Sequence, residues 1–128
     1  MFKSRLDTAL LEQEKAAMLG FDWPSASGAL DKVREETNEV HMELLKCPPI
    51  IDTLEEEVGD LIFSVINVAR KLNINPNTAL DKATLKFRKR FNKVLKLVKS
   101  EGLVMDDAPI ESLERLWLIA KNNDDVAD

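Results

Sequence analysis

The stretch Asp52-Thr53-Leu54-Glu55-Glu56-Glu57-Val58-Gly59-Asp60-Leu61-Ile62-Phe63-Ser64-Val65-Ile66-Asn67-Val68-Ala69 decides the fold. Its first half is acidic, and from Leu61 onward it is apolar in nearly every direction around a helical axis. No strand-like alternation competes with the helical reading. The helix opens near Asp52-Thr53, where Asp52 with Glu55, or Thr53 with Glu56, fits a capping box. A helix that is apolar all round needs cover on every side, and a chain of 128 residues has little interior to give it. The expectation is an oligomer whose interface covers this helix.

Helical periodicity continues on both sides. Upstream, Cys47-Pro48-Pro49 stops a second helix that starts at the cap Ser27, runs to Lys46 and carries Leu30, Val33, Val40 and Leu44 as its apolar stripe. Before it, a first helix spans Ser4 to Leu19, with Gly20 placed to end it in the left-handed conformation. Phe21-Asp22-Trp23-Pro24 is the connector, its two aromatics placed to plug the core edge. Downstream, Asn75-Pro76 caps a fourth helix that reaches about Ser100, roughly 36 Å at 1.5 Å per residue, with Leu80, Ala83, Phe87, Phe91, Val94 and Val98 as its buried stripe. A last helix covers Pro109 to Lys121, and about 122–128 form a frayed tail. The sum is an all-α antiparallel bundle of about five helices, residues 1–128 as a single domain.

Composition narrows the chemistry. Hydrophobic residues make up 45% and charged residues 32%, which excludes a disordered chain. The longest apolar run, Leu61–Ala69, falls short of a bilayer span and is broken by Ser64 and Asn67. The first residues show no signal-peptide pattern, and the single cysteine, Cys47, excludes an internal disulfide; a reducing cytoplasm is the expected home. One histidine, His41, excludes paired-His metal chemistry, and four glycines without a Gly-rich loop exclude the P-loop and dinucleotide fingerprints. Net charge is -5 but unevenly spread: residues 82–99 hold eight Lys or Arg and no acid, while acids gather in 31–60 and at the extreme end. What remains for chemistry is carboxylates and cations.

Two acidic pairs share one spacing. Glu36 and Glu39 lie three apart on the second helix, and Glu57 and Asp60 three apart on the third. The Cys47-Pro48-Pro49 turn folds these helices into a hairpin, which can set the pairs opposite each other. Two like charges 4 Å apart repel by about 4 kcal/mol at an effective dielectric near 20. Such a cluster persists when some acids are protonated or a cation neutralises them. Oxygen-only ligands select a hard ion, Mg²⁺ or Mn²⁺, over zinc.

Lys32-Val33-Arg34-Glu35-Glu36-Thr37-Asn38-Glu39-Val40, followed by Leu54-Glu55-Glu56-Glu57-Val58-Gly59-Asp60-Leu61-Ile62-Phe63, resembles the MazG nucleoside triphosphate pyrophosphohydrolases, whose signature is Glu-Glu-x-x-Glu, a variable spacer, then Glu-x-x-Asp. Gly20-Phe21-Asp22-Trp23-Pro24, Asn67-Val68-Ala69-Arg70 and Lys86-Phe87-Arg88-Lys89-Arg90-Phe91 extend the similarity to roughly residues 10–121, closest to the second half of the two-domain bacterial enzymes. The expectation is a single-domain member or an excised half. Asn38 stands where an acid is expected in close relatives.

The resemblance implies hydrolysis of nucleoside triphosphates to monophosphate and pyrophosphate, in a Mg²⁺-dependent all-α fold assembled as a homodimer or a tetramer, for cleansing of the nucleotide pool or for signalling. By it, Glu36, Glu39, Glu57 and Asp60 hold the metal, and Glu35 completes its shell or orients the attacking water. Lys32, Lys86 and Arg90 contact phosphates, and Trp117 with Lys121 closes the nucleotide site. The spacing is compatible: Lys86 and Arg90 are four apart beside the Phe87/Phe91 stripe, and Trp117 and Lys121 are also four apart. No covalent nucleophile is evident or needed.

Three other readings compete. A dUTPase/dCTPase-like or phosphoribosyl-ATP-type relative would share the carboxylate hairpin with a narrower substrate. A non-catalytic helical dimer would serve as an interaction module. A nucleic-acid-binding helix over 82–99 is opposed by net acidity and by the lack of a recognisable binding motif, so neither nucleic acid nor membrane is expected as a partner.

Overall fold

The computed structural model describes residues 3–124, which form five helices and no strand. These are α1 (Arg5–Met18), α2 (Ala26–Leu44), α3 (Ile51–Lys71), α4 (Pro76–Ser100) and α5 (Ile110–Asn122). The all-α class expected from periodicity is what the chain adopts. Two compact units divide it, Met1–Ala79 and Leu80–Asp128.

In the first unit α3 is the central element, packed along α2 and against α1. Ser4 opens α1 with a capping box: its hydroxyl accepts from Asp7 N–H while the Asp7 carboxylate accepts from Ser4 N–H. At the other end Gly20, at φ 96°, lets Gly20 N–H reach Ala17 O and Phe21 N–H reach Ala16 O, satisfying two end carbonyls. Asn73 does the same for α3 at φ 57°, an ending with no glycine to mark it. Asn77, in the first turn of α4, donates to Asp7 and accepts from Ser4, tying that turn to the start of α1. Asn75 caps α4 as expected, its side chain accepting from Asn77 N–H at 2.8 Å.

Several local expectations are corrected. Helix α2 begins at Ala26 with Ser25 as its extended N-cap, so Ser27 lies inside the first turn. Helix α3 begins at Ile51 behind Ile50, without a side-chain cap. Asp52 and Thr53 are therefore already helical and form no capping box; Asp52 instead meets the positive end of the helix dipole. Phe21 plugs no core edge, being 83% exposed, whereas Trp23 is half-buried and fits beside Gly28, where a Cβ would stand 3.4 Å from its ring. On α2, Leu30 and Leu44 are exposed, leaving Val33 and Val40 half-buried.

The second unit centres on Val94 and Val98 of α4 against Leu116 and Ala120 of α5. Of the expected α4 stripe only these two valines are buried; Leu80, Ala83, Phe87 and Phe91 are exposed. The reason is length: α4 has 25 residues and α5 only 13, enough to cover the last turns of α4. Asn123 O accepts from Lys93, and Asp124 accepts from Arg90, so these tail residues are anchored. Residues 125–128 of the expected frayed tail lie outside the described residues. No helix among the described residues is long and apolar enough to cross a membrane.

Candidate active site

The α2–α3 hairpin does bring acids of both helices together. One carboxylate oxygen each from Glu36, Glu57 and Asp60 lies within 4.8 Å of the others, the group among the described residues fit to hold a metal ion. Glu36 is 9% exposed and is reached by Lys32 Nζ at 3.2 Å. Glu57 is half-buried, and its carboxyl is pushed above the ordinary value, first by loss of solvation, then by the charges of Asp60, Glu39, Glu36 and Glu43. A site that resists its own ionisation in this way favours an added cation. The donors are all carboxylate oxygens, the set that suits a hard divalent ion.

Glu39 stands outside this group of three and is exposed, yet its charge is felt at Glu57. Glu35 is directed elsewhere: its carboxylate accepts from Lys32 at 3.0 Å, and the same ammonium bridges it to Glu36. Both acids raise the Lys32 pKa, Glu35 the more. Glu43 was not singled out from the sequence. It follows Glu36 and Glu39 on the same face at i, i+3, i+7, a spacing that would have found it, and it pairs with Lys46 at 2.8 Å.

Lys86, Arg90, Trp117 and Lys121 belong to the second unit. There Arg90 lies 5.9 Å from the centroid of Trp117, whose ring also meets Phe87 at 5.7 Å. Trp117 packs half-buried on the α4–α5 core. Arg90 donates twice to the Asp124 carboxylate, and Lys86 acts on Asp124 through its charge. Lys121 is exposed.

Beside the acids the first unit opens a cleft of about 710 Å³, lined by Glu36, Asp60 and Lys32 and also by Phe21, Trp23 and Phe63. Ser64 and Asn67, the polar breaks in the apolar half of α3, face this cleft. Asp22 fixes the wall: Arg70 grips it through two nitrogens, Lys71 reaches it at 3.3 Å, and it accepts from Trp23 N–H at 2.7 Å. The Arg70 guanidinium, followed by the Trp23 amide and Lys71, holds the Asp22 carboxyl far below the usual carboxylate range. No spacing in the sequence linked Asp22 to Arg70, 48 residues away.

Two further comparisons bear on this geometry. Residues 25–95, which contain the whole acidic hairpin, match the MazG nucleotide pyrophosphohydrolase domain. The chain is 44% identical over 114 residues to a nucleoside triphosphate pyrophosphohydrolase/pyrophosphatase MazG of Thermotoga maritima, covering 89% of this chain and 43% of that protein. It is 38% identical over 112 residues to the nucleoside triphosphate pyrophosphohydrolase of Escherichia coli K12, covering 88% of this chain and again 43% of the relative. The chain thus spans less than half the length of these curated relatives. With the domain match over more than half its residues and an acidic helix hairpin built on the matched segment, the chain belongs to the MazG nucleotide pyrophosphohydrolase family.

Proposed function

We propose that the chain is a metal-dependent hydrolase domain that splits a nucleoside triphosphate into the monophosphate and pyrophosphate. The observation that carries this is the convergence of Glu36, Glu57 and Asp60 at the edge of a roomy cleft with aromatic walls. In this reading Glu36, Glu39, Glu57 and Asp60 hold Mg²⁺, with Mn²⁺ as the alternate ion. Such an ion polarises phosphate oxygens and lowers the pKa of bound water. Lys32 holds Glu36 in place and offers its ammonium toward phosphate at the mouth of the cleft. Glu35, held by the same lysine, completes the metal shell or orients the attacking water.

Lys86, Arg90, Trp117 and Lys121 supply cations and a stacking face to the nucleotide, with residues 1–128 working as a single domain. A homodimer, or a tetramer, fits the half-exposed Ile62, Phe63 and Val65 on α3. A cytoplasmic location fits the one cysteine, Cys47, which is free and exposed. The test is hydrolysis of each common triphosphate with Mg²⁺ in ¹⁸O-labelled water. Nucleoside monophosphate and pyrophosphate are the expected primary products, and chelation of the metal abolishes them. Primary release of diphosphate and orthophosphate refutes the reading.

A further inference from the structure

Helix α4 carries eight Lys or Arg between residues 82 and 99 and no acid. An acid meets them from the turn after α5. There Asn123 N–H donates to Ile119 O at 3.2 Å and Asp124 N–H to Lys121 O at 3.3 Å, so the turn continues the end of α5 and brings the Asp124 side chain back onto α4. One oxygen of Asp124, Oδ2, accepts from Arg90 Nε at 2.8 Å and from Arg90 Nη2 as well. Lys93 donates to Asn123 O at 2.8 Å, a second tie between the turn and α4. Arg90, with the charges of Lys93 and Lys86 behind it, holds the Asp124 carboxyl below its ordinary value, so it stays an anion.

The Nε/Nη2 edge of a guanidinium is one on which it receives a phosphate, through two parallel N–H donors. On Arg90 that edge is taken by Asp124, and the Cζ lies over the Trp117 ring, 5.9 Å from its centroid. The Arg90 side chain is only 14% exposed, so a phosphate gains this edge when the carboxylate leaves it. We propose that Asp124 is a phosphate mimic: its carboxylate occupies the triphosphate's place on Arg90, and the substrate displaces it to bind. This rests on the pyrophosphohydrolase reading above, in which Lys86 and Arg90 contact phosphates, and deepens it by naming a residue that masks them. The mask is weak, because Asp124 is 31% exposed and ion pairs open to solvent hold loosely. A triphosphate sets several negative charges against one and engages Lys86 and Lys121 as well, so it wins the edge. The carboxylate is displaced alike from bound substrate and from transition state, so the mask raises KM and leaves kcat alone.

The experiment uses the full chain with Mg²⁺, inorganic tripolyphosphate as the binding probe and the best-hydrolysed common triphosphate as substrate. Asp124→Ala tightens tripolyphosphate binding in calorimetry and lowers KM, each by about threefold, with kcat unchanged within about twofold. Asp124→Asn, which keeps the shape and removes the charge, moves both in the same direction. Glu114→Gln, the same change of charge at an exposed site on α5, moves neither. In an Arg90→Gln background Asp124→Ala changes nothing, because the group it masks is gone. Unchanged or weaker tripolyphosphate binding by either Asp124 variant overturns the inference, and so does a shift in kcat with KM unmoved. Equal tightening by Glu114→Gln, or tightening that persists without Arg90, overturns it too. Tightened tripolyphosphate binding without turnover of any nucleotide upholds the mask and refutes the hydrolase; turnover with binding unmoved does the reverse; absence of both overturns both.

Discussion

Val65→Glu is expected to dissociate the proposed homodimer and leave each chain folded, and the magnitude follows from exposure. Ile62, Phe63 and Val65 on α3 are 51%, 43% and 49% exposed in a single chain. Full burial of such a side chain is worth about 1.5–3 kcal/mol, so covering the exposed half of each returns about 0.7–1.5 kcal/mol. Three of them on each of two symmetry-related copies supply about 4–9 kcal/mol, set against an association cost of about 4–15 kcal/mol. The proposed interface is therefore marginal on this face alone and sensitive to any loss from it. A glutamate at Val65 removes one contribution from each copy and adds two carboxylates to desolvate, about 3 kcal/mol or more in sum, which is a hundredfold in Kd.

Ile66 supplies the contrast. It points into its own chain at 4% exposure, so Ile66→Ala costs about 2–5 kcal/mol of fold stability whatever the state of assembly, and a charge there unfolds the chain before it can report on an interface. Sedimentation across a concentration series, with circular-dichroism melts in parallel, reads both effects. Wild type at 14.5 kDa throughout the micromolar range, or a Val65→Glu protein that associates as wild type does, refutes the reasoning.

Glu57→Gln and Asp60→Asn are each expected to lower turnover at least a hundredfold while the metal-free protein melts no lower than wild type, since each removes one of the charges crowded within 4.8 Å; a variant with near wild-type rate removes that residue from the ligand set. Asp22 sets an acid limit. Its folded-state pKa is depressed, so its stabilisation is present above the unfolded value, about 4, and is lost as pH falls through the folded value. The melting-temperature gap between wild type and Asp22→Asn is thus widest above about pH 4 and closes in acid; a gap constant from about pH 6 to about pH 2 contradicts the Arg70 clamp.

What the sequence made legible was whatever lies within a helical turn or two. Glu36 and Glu39, and Glu57 and Asp60, are local pairs, and one Pro-Pro turn suffices to oppose them, so the hairpin with its acid cluster could be read from spacing. Gly20 announced the end of α1 because a φ of 96° suits glycine alone. Helix starts were less legible. Ser27, Asp52 and Thr53 are all good cap residues, but intrinsic preference is worth only a fraction of what packing supplies, and Ser25 and Ile50 took those places. The α4 stripe is periodic but buried only at Val94 and Val98, because periodicity gives the face and not the length of the partner.

The cleft wall was illegible for a different reason, and that reason separates the two halves of the candidate site. Carboxylates that gather for a metal repel one another, so the chain must hold them on rigid, closely spaced positions of one hairpin, and that constraint leaves a mark in the sequence. Gln13 and Asp22 have no such constraint. Each acts through a partner about 50 residues away, Gln13 on Phe63 O and Asp22 on Arg70, and only the packing of α1 and its following turn against α3 creates the pairing. The acid cluster sits on a pair of long regular helices, whereas the part of the wall around Asp22 is hung on a loop by a few charge-assisted bonds. Substitutions on that wall can therefore reshape the cleft without moving Glu36, Glu57 or Asp60, so the acid cluster and the wall are separable parts of one small unit.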